Sequence, residues 1–347
     1  MRRTGLLAMS DEAQAVADPI GVVLVHVGTP DAPTPSAVRR YLVEFLSDPR
    51  IVDLPAVVWQ PLLRLVIAPI RARRVADLYR EIWDTDHDES PLRRIARVQA
   101  RELEARFDTL FGHGRVVVRH AMRYGRPGLA TVLDELMAAG VRRLLVAPLY
   151  PQYSTATTAS VLDELARWKR GRTLLPAIRT LPPWYDDPAY IEVLAASVRK
   201  ELSALEAPPP HLVVSFHGLP LARIAAGDPY EDHCRASAEA LRCALDWPQA
   251  RFHLAFQSRF GPARWLGPST EETVRELAAG GIRALALVAP GFTADCLETL
   301  EELDRQVAKV FHEAGGRQFV RVPCLNDSPG HLDLLAHLVL RELGGWL

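Results

Sequence analysis

Short runs of apolar, largely β-branched residues alternate along this chain with longer stretches whose apolar positions recur every three to four residues. The runs Gly21–Val27, Val116–His120, Arg143–Pro148 and Thr173–Ile178 are nearly continuous in apolar character, as strands buried on both faces must be. A second set follows at Leu212–His217, Phe252–Phe256, Ala284–Ala289 and Phe319–Val322. Helical periodicity fills the gaps at Pro35–Leu46, Leu92–Phe107, Leu129–Ala139 and Thr155–Lys169. It returns at Ala189–Leu205, Glu231–Leu245, Thr270–Ala279 and Leu297–His312, with a last helix at Pro329–Leu343. Strands spaced by helices predict right-handed crossovers and parallel sheets covered on both faces, an α/β architecture.

The halves echo one another. Val25-His26-Val27-Gly28-Thr29-Pro30 ends the first strand and Ser215-Phe216-His217-Gly218-Leu219-Pro220 the fifth, 190 positions later. Gly140-Val141-Arg142 with Ala147-Pro148 is matched by Gly281-Ile282-Arg283 with Ala289-Pro290, about 142 positions on. The expected fold is therefore two similar doubly wound, Rossmann-like domains with parallel sheets and an interdomain cleft. The first spans 19–180 and holds an insertion around Val57–Asp84; the second spans 181–328, and 329–347 forms a C-terminal helix that can pack on either half. The boundary lies near the proline-rich stretches Leu181–Pro183 or Ala207–Pro210.

Composition narrows the function classes. Lys+Arg 41 against Asp+Glu 42 leaves a net charge of -1, so no basic field exists to hold nucleic acid. Cys234, Cys243, Cys296 and Cys324 never form C-x-x-C, which removes zinc-ribbon and thioredoxin readings and leaves reduced thiols in a cytoplasmic protein. Met1–Asp18 lacks a long apolar core and reads as a mobile tail, not a signal peptide. Val57–Ile70 is the longest apolar stretch, but Gln60, Pro61, Arg64 and Pro69 interrupt it. It is too short to span a bilayer and is either a core helix or an exposed apolar surface. The chain is expected to be soluble, with at most peripheral membrane contact.

No G-x-G-x-x-G, phosphate-binding loop, H-E-x-x-H or G-x-S-x-G is present. The acidic run 84–89 resembles the start of a calcium loop, but Glu89 stands where glycine is needed and Ile95 where glutamate is. Parallel sheets bind ligands at the carboxyl ends of their strands. That rule selects His26–Pro30, Arg119–Tyr124, Pro148–Ser154, His217–Pro220 and Pro290–Glu298. His217 is placed to be a base or metal ligand, though a plain strand-end histidine is as good a reading of position alone. Asp295, Glu298 and Glu302 recur at i, i+3 and i+7 and would share one helix face. An acidic first turn favoured by the helix dipole is the competing explanation. A nitrogen base beside carboxylates suits a divalent metal that binds and then leaves. Arg123 could pair with a ligand carboxylate, and Tyr124 and Tyr150–Tyr153 could pack on a flat ring; ordinary half-buried residues would look the same.

At these positions the chain resembles the ferrochelatases, enzymes that insert ferrous iron into a porphyrin at the end of haem synthesis. The densest block is Ser215-Phe216-His217-Gly218-Leu219-Pro220 followed by Gly227-Asp228-Pro229-Tyr230 and Cys234. Matching blocks also lie at 27–35, 45–55, 121–125 (A-M-R-Y-G), 148–154, 256–261 and 295–303. The resemblance implies a lyase with protoporphyrin IX and Fe²⁺ as substrates and two chelatase-type domains around the porphyrin. It assigns His217 and Glu298 as catalytic, metal-facing residues, with Asp295 and Glu302 as a metal or proton path. It places Tyr79, Ser90, Arg123 and Tyr124 around the porphyrin. It makes Val57–Ile70 an apolar lip, with cytoplasmic location and peripheral contact at the inner membrane. The end at Leu347 lacks a cysteine-rich tail, which implies no iron–sulfur cluster and no tightly bound cofactor.

His26 stands where bacterial relatives usually carry asparagine, and Glu89 replaces the glycine before Ser90-Pro91-Leu92. Glu89 is expected to face solvent, because its charge would repel substrate propionates, and Ser90 to face the ligand. The A-M-R-Y-G type resembles enzymes of protoporphyrin IX more than those of coproporphyrin III. Other readings are a related chelatase for another metal or porphyrin, or a haem or tetrapyrrole carrier on the same fold.

Overall fold

The computed structural model describes residues 18–259, 261 and 263–347. The tail expected at Met1–Asp18 lies, apart from Asp18, outside the described residues. Among the described residues, eight strands form two four-stranded, all-parallel sheets. In the first, β1 (Ile20–Thr29), β2 (Val116–Gly125), β3 (Arg143–Pro148) and β4 (Ala177–Thr180) lie in the order β2-β1-β3-β4. In the second, β5 (His211–His217), β6 (Phe252–Gln257), β7 (Ala284–Val288) and β8 (Gln318–Arg321) repeat it as β6-β5-β7-β8. The order in which strands are added therefore switches sides between β1 and β3 and again between β5 and β7, where doubly wound sheets open a crevice for ligands.

Helix starts follow local chemistry. α1 (Pro35–Leu46), α4 (Pro91–Phe111), α7 (Pro188–Ser203) and α12 (Pro329–Glu342) each begin with proline, preceded by Thr34, Ser90, Asp187 or Ser328. The side chain of that preceding residue accepts a hydrogen bond from a first-turn amide. Proline has no amide hydrogen to leave orphaned there, and the cap satisfies one that remains. The other helices are α2 (Ala56–Leu62), α3 (Ala68–Ile82), α5 (Leu129–Ala138), α6 (Thr158–Lys169), α8 (Leu221–Ala225), α9 (Tyr230–Ala244), α10 (Thr270–Ala279) and α11 (Ala308–Glu313).

Two segments wind more widely than an α-helix, with bonds reaching five residues back: Leu63–Ile67 and Glu298–Val307. The first lies between Pro61 and Pro69, two positions that cannot donate to a helical ladder. β4 begins later than its apolar run, because Leu174 and Leu175 are exposed and Pro176 precedes the strand. The stretch Val57–Ile70 is the exposed alternative of the two expected. Val57 is 82% exposed, Leu65 75% and Ile70 69%, while Trp59 and Leu63 turn inward onto α1.

One core crosses from sheet to sheet: Ile20, Val22 and Leu24 of β1 belong with Leu212, Val214 and Phe216 of β5, α7 and α12. α12 lies against α4 and β3 of the first half and against α7. Its end is tied back, with Arg115 and Arg143 both donating to the Trp346 carbonyl. The loop Pro148–Ser154, selected above as a cleft segment, is largely a tie between the halves. Asp228 accepts from the Ser154 hydroxyl at 3.1 Å and from the Thr155 amide at 2.7 Å, and Gln152 donates to Ser237 at 2.9 Å.

Candidate active site

β5 ends on His217, which is half-buried. Its Nδ1 lies 2.7 Å from the Gly218 carbonyl. A carbonyl only accepts, so Nδ1 carries a hydrogen, and the neutral tautomer this selects has its lone pair on Nε2. Glycine is required next: a Cβ on Gly218 would lie 2.8 Å from the Gln257 carbonyl. The Phe292 ring stands 6.5 Å from the imidazole on the loop after β7.

That loop leads into the wide helix bearing Glu298 and Glu302. With bonding five residues back, positions four apart remain on one side. Glu302 accepts from the Ser258 amide at 2.8 Å and its hydroxyl at 2.6 Å. Burial holds the Glu302 carboxyl above the ordinary range. Ser258 and the neighbouring His217 oppose that rise, and the Glu298 charge adds to it. His217, Glu298 and Glu302 are therefore electrostatic neighbours, and burial, more than carboxylate crowding, is what raises the Glu302 pKa.

Asp295 does not share their face. It precedes the helix, is buried, and has both oxygens occupied. Oδ1 accepts from Thr299 and Arg321, each at 2.9 Å, and Oδ2 from the Asn326 amide at 2.7 Å. Its spacing of three and seven residues from Glu298 and Glu302 does not align it with them, because the helix begins after it.

Tyr79 of α3 is 6% exposed and lies near Glu298. A residue the sequence reading missed, Tyr41 of α1, joins it there. Burial pushes both phenols up, and the neighbouring tyrosine and Glu298 contribute to the rise at Tyr41. Tyr41 donates to the Gly28 carbonyl at 3.3 Å. Only its place on the inward face of α1, beside the β1 strand end, could have pointed to it.

Arg123 and Tyr124 sit together but are already paired. Arg123 donates to Asp48 at 2.5 Å and to Ser160, and the Tyr124 hydroxyl donates to Asp48 at 2.7 Å. Burial alone would raise the Asp48 carboxyl. Ser160, the Arg50 amide, Tyr124 and the Arg123 charge outweigh it and hold the pKa below the ordinary range. Arg123 and Asp48 border a cavity of about 420 Å³ with Glu44, Glu164 and Arg167, and a second of about 630 Å³ lies between α1 and Arg64. Neither reaches His217 or Glu298.

Ser90 is 1% exposed, and its oxygen caps α4 by accepting from the Arg93 amide at 3.2 Å. The expectation that Glu89 faces solvent is corrected. Its side chain is buried and ion-paired with Arg97, which neutralises it without exposure. Among the described residues, no three His, Cys, Asp or Glu side chains are grouped to hold a metal ion. No described helix is long and apolar enough to cross a membrane.

The ferrochelatase family profile matches residues 19–343. A ferrochelatase of Nitrobacter hamburgensis is 47% identical over 96% of this chain and 96% of its own length. One of Rhizobium meliloti is 46% identical over 94% and 96%. Among solved structures, SirB from Bacillus subtilis with Fe³⁺ superposes with a TM-score of 0.55 at 13% identity, over 94% of this chain and 96% of that one. The sirohydrochlorin chelatase SirB from Bacillus subtilis subspecies spizizenii in complex with cobalt gives 0.53 at 10% identity, over 94% and 97%. At such identities the structures bear on the fold, which they place with the chelatases.

Proposed function

The chain belongs to the ferrochelatase family, and from that membership we propose that it inserts Fe²⁺ into protoporphyrin IX as a lyase, the last step of haem synthesis. The observation that carries the site reading is the free Nε2 of His217 beside the Glu298–Glu302 face. Insertion removes two protons from pyrrole nitrogens while the iron sheds water, so Fe²⁺ and the free porphyrin give haem and two H⁺. Nε2 of His217 takes a pyrrole proton, which becomes an imidazolium hydrogen. Glu298 faces the incoming iron, and the porphyrin nitrogens complete its coordination. Glu302, with its raised pKa, accepts protons passed outward.

A flat macrocycle hides its nitrogens, so binding must bend it, at about 1–5 kcal/mol offset by contacts at the ring edge. Tyr41 of α1 and Tyr79 of α3 stand near Glu298, where they would meet one edge of the ring. Arg123 and Tyr124 hold Asp48 and the adjoining loop in place, a supporting role for the porphyrin wall. Iron enters as substrate, and the reaction asks for no resident cluster. The exposed strip Val57–Ile70 is read as a peripheral contact with the cytoplasmic face of a membrane.

The decisive experiment is anaerobic incubation with protoporphyrin IX and Fe²⁺, or Zn²⁺ as surrogate, following loss of free-porphyrin fluorescence. Glu298→Gln keeps the shape and removes the charge, and should abolish most turnover. Porphyrin binding without metallation by the unaltered protein would turn the reading to a carrier. Faster turnover with coproporphyrin III would change the substrate. Leu65→Asp should lower binding to lipid vesicles; equal binding would remove the membrane contact.

A further inference from the structure

Asn326, in the loop between β8 and α12, uses every polar group it has. Its amide donates to the Thr293 carbonyl at 2.9 Å. Its side-chain oxygen accepts from the Asp295 amide at 2.7 Å, and its side-chain nitrogen donates to the Asp295 carboxylate at 2.7 Å. Its own carbonyl accepts from Gln99 of α4 at 2.7 Å and from His331 of α12 at 2.6 Å. The backbone is left-handed, at φ +50°, a conformation that asparagine tolerates better than most residues.

These bonds grip the loop that precedes the wide helix. Asp295, held at amide and carboxylate by one side chain, accepts the Thr299 hydroxyl; Thr299 in turn accepts the Cys296 amide at 3.0 Å. Glu298 lies between Cys296 and Thr299, so its backbone stands inside that cross-braced turn. The other end of the brace is in the first half, through Gln99, whose amide oxygen lies 3.0 Å from Nε2 of His26. The loop bearing the metal-facing carboxylate is thus registered against the opposite sheet.

We propose that Asn326 is a positioning residue of the metallation reaction, fixing where the Glu298 carboxylate stands relative to His217. The inference rests on the reading of Glu298 as the metal-facing group. It also gives Asp295 a new role: with both oxygens bound, it is a fixed post and not a stage in a metal path.

Asn326→Gly tests this, because glycine keeps the left-handed backbone and deletes only the side-chain grip. With Zn²⁺ and protoporphyrin IX, kcat/KM for the metal should fall ~10–100-fold, the usual scale when a group that orients a metal-facing residue is lost. KM for porphyrin should stay within ~2-fold, since uniform binding is untouched. Unchanged constants, or a loss that merely tracks the folded fraction in thermal unfolding, would overturn the proposal. If the glycine variant does not fold, Asn326→Asp decides. It is isosteric, keeps the acceptor for the Asp295 amide, and sets an oxygen against the Asp295 carboxylate, so the same metal-specific loss is expected. Glu298→Gln, run beside them, separates the two ideas. If that variant is fully active, the site reading fails and takes this inference with it. If it is inactive while both Asn326 variants behave as the parent, only the inference fails.

Discussion

Two histidines stand at matched strand ends, one residue out of step. With the halves offset by 190, His217 aligns with Val27, and His26 aligns with Phe216. Side chains alternate across a strand, so the single step sends the imidazoles to opposite faces. His217 and Val27 are the half-exposed positions near the ends of β5 and β1. His26 and Phe216 are the buried neighbours; His26 is 3% exposed and lies 3.0 Å from the Gln99 side chain. Burial, with the nearby His120 next in weight, lowers the His26 pKa to about 3, so this imidazole is neutral across the physiological range. The same residue type in a similar motif is a buried, hydrogen-bonded strut in one half and the half-buried residue proposed as a base in the other. What separates them is strand parity and the partner at each ring nitrogen, and not proximity to a strand end.

The largest expected effect tests the open member. His217→Ala should cut turnover by at least ~10²-fold, the scale of a lost general base. Porphyrin affinity, followed by fluorescence, should be largely kept. Turnover near that of the parent would remove His217 from the mechanism and erase the contrast with His26.

Much of this was legible in the sequence because burial on both faces writes itself as continuous apolar runs. All eight strands lie at or within a few residues of those runs, and α1 and α10 match their expected bounds. His217 and Glu298 stand out as candidates because strand ends are where such sheets bind ligands. The failures are equally physical. The i, i+3, i+7 spacing sets Asp295 on the face of Glu298 and Glu302, whereas the helix starts after it and its carboxylate meets Arg321 and Asn326, partners 26 and 31 residues away. Glu89 looks like an exposed charge because Arg97, eight residues on, gives no sign in sequence that it folds back. The Asp48 partner of Arg123 is equally invisible to a local pattern, because it lies 75 residues distant. Pairings across the chain are what a local pattern cannot carry.

The buried histidines supply the next test. His26 is neutral in the fold but titrates near 6.5 once unfolded, so the unfolded chain binds the extra proton as pH falls. Its contribution to stability is intact above about pH 6.5 and is lost progressively toward pH 3. His331 and His120, lowered to about 4 chiefly by burial, act in the same sense. Replacing His26 by asparagine removes one such group. Any loss of the Gln99 hydrogen bond is independent of pH, so the pH slope isolates the imidazole. Between pH 7.5 and 5, the unfolding free energy of His26→Asn should fall about 2 kcal/mol less than that of the parent. Turnover at neutral pH should fall less than in Asn326→Gly, since only the far end of the Gln99 brace is loosened and the Asn326 grip on Asp295 is kept. Parallel pH curves would mean that His26 is not held neutral; a large drop in turnover would make it more than a strut.

The smallest expected effect is an absence of rescue. Val27 occupies the place in β1 that His217 occupies in β5, and it packs against the cluster containing Ala294 and Cys296, beside the Glu298 turn. If facing the cleft from a strand end were enough to make a base, Val27→His should restore activity to His217→Ala. The surroundings argue otherwise. His217 has a carbonyl, that of Gly218, reserved for Nδ1, which fixes the lone pair on Nε2. The corresponding carbonyl in the first half, that of Gly28, already accepts the Tyr41 hydroxyl. A new imidazole there would compete with Tyr41 or remain without a fixed tautomer, and nothing would hold its lone pair toward the pyrrole protons. The double variant should therefore stay within ~2-fold of His217→Ala alone, because a base outside attack geometry gains little from proximity. Recovery of tenfold or more would show that the cleft face itself confers the function, and the distinction drawn between the two strand ends would have to be abandoned.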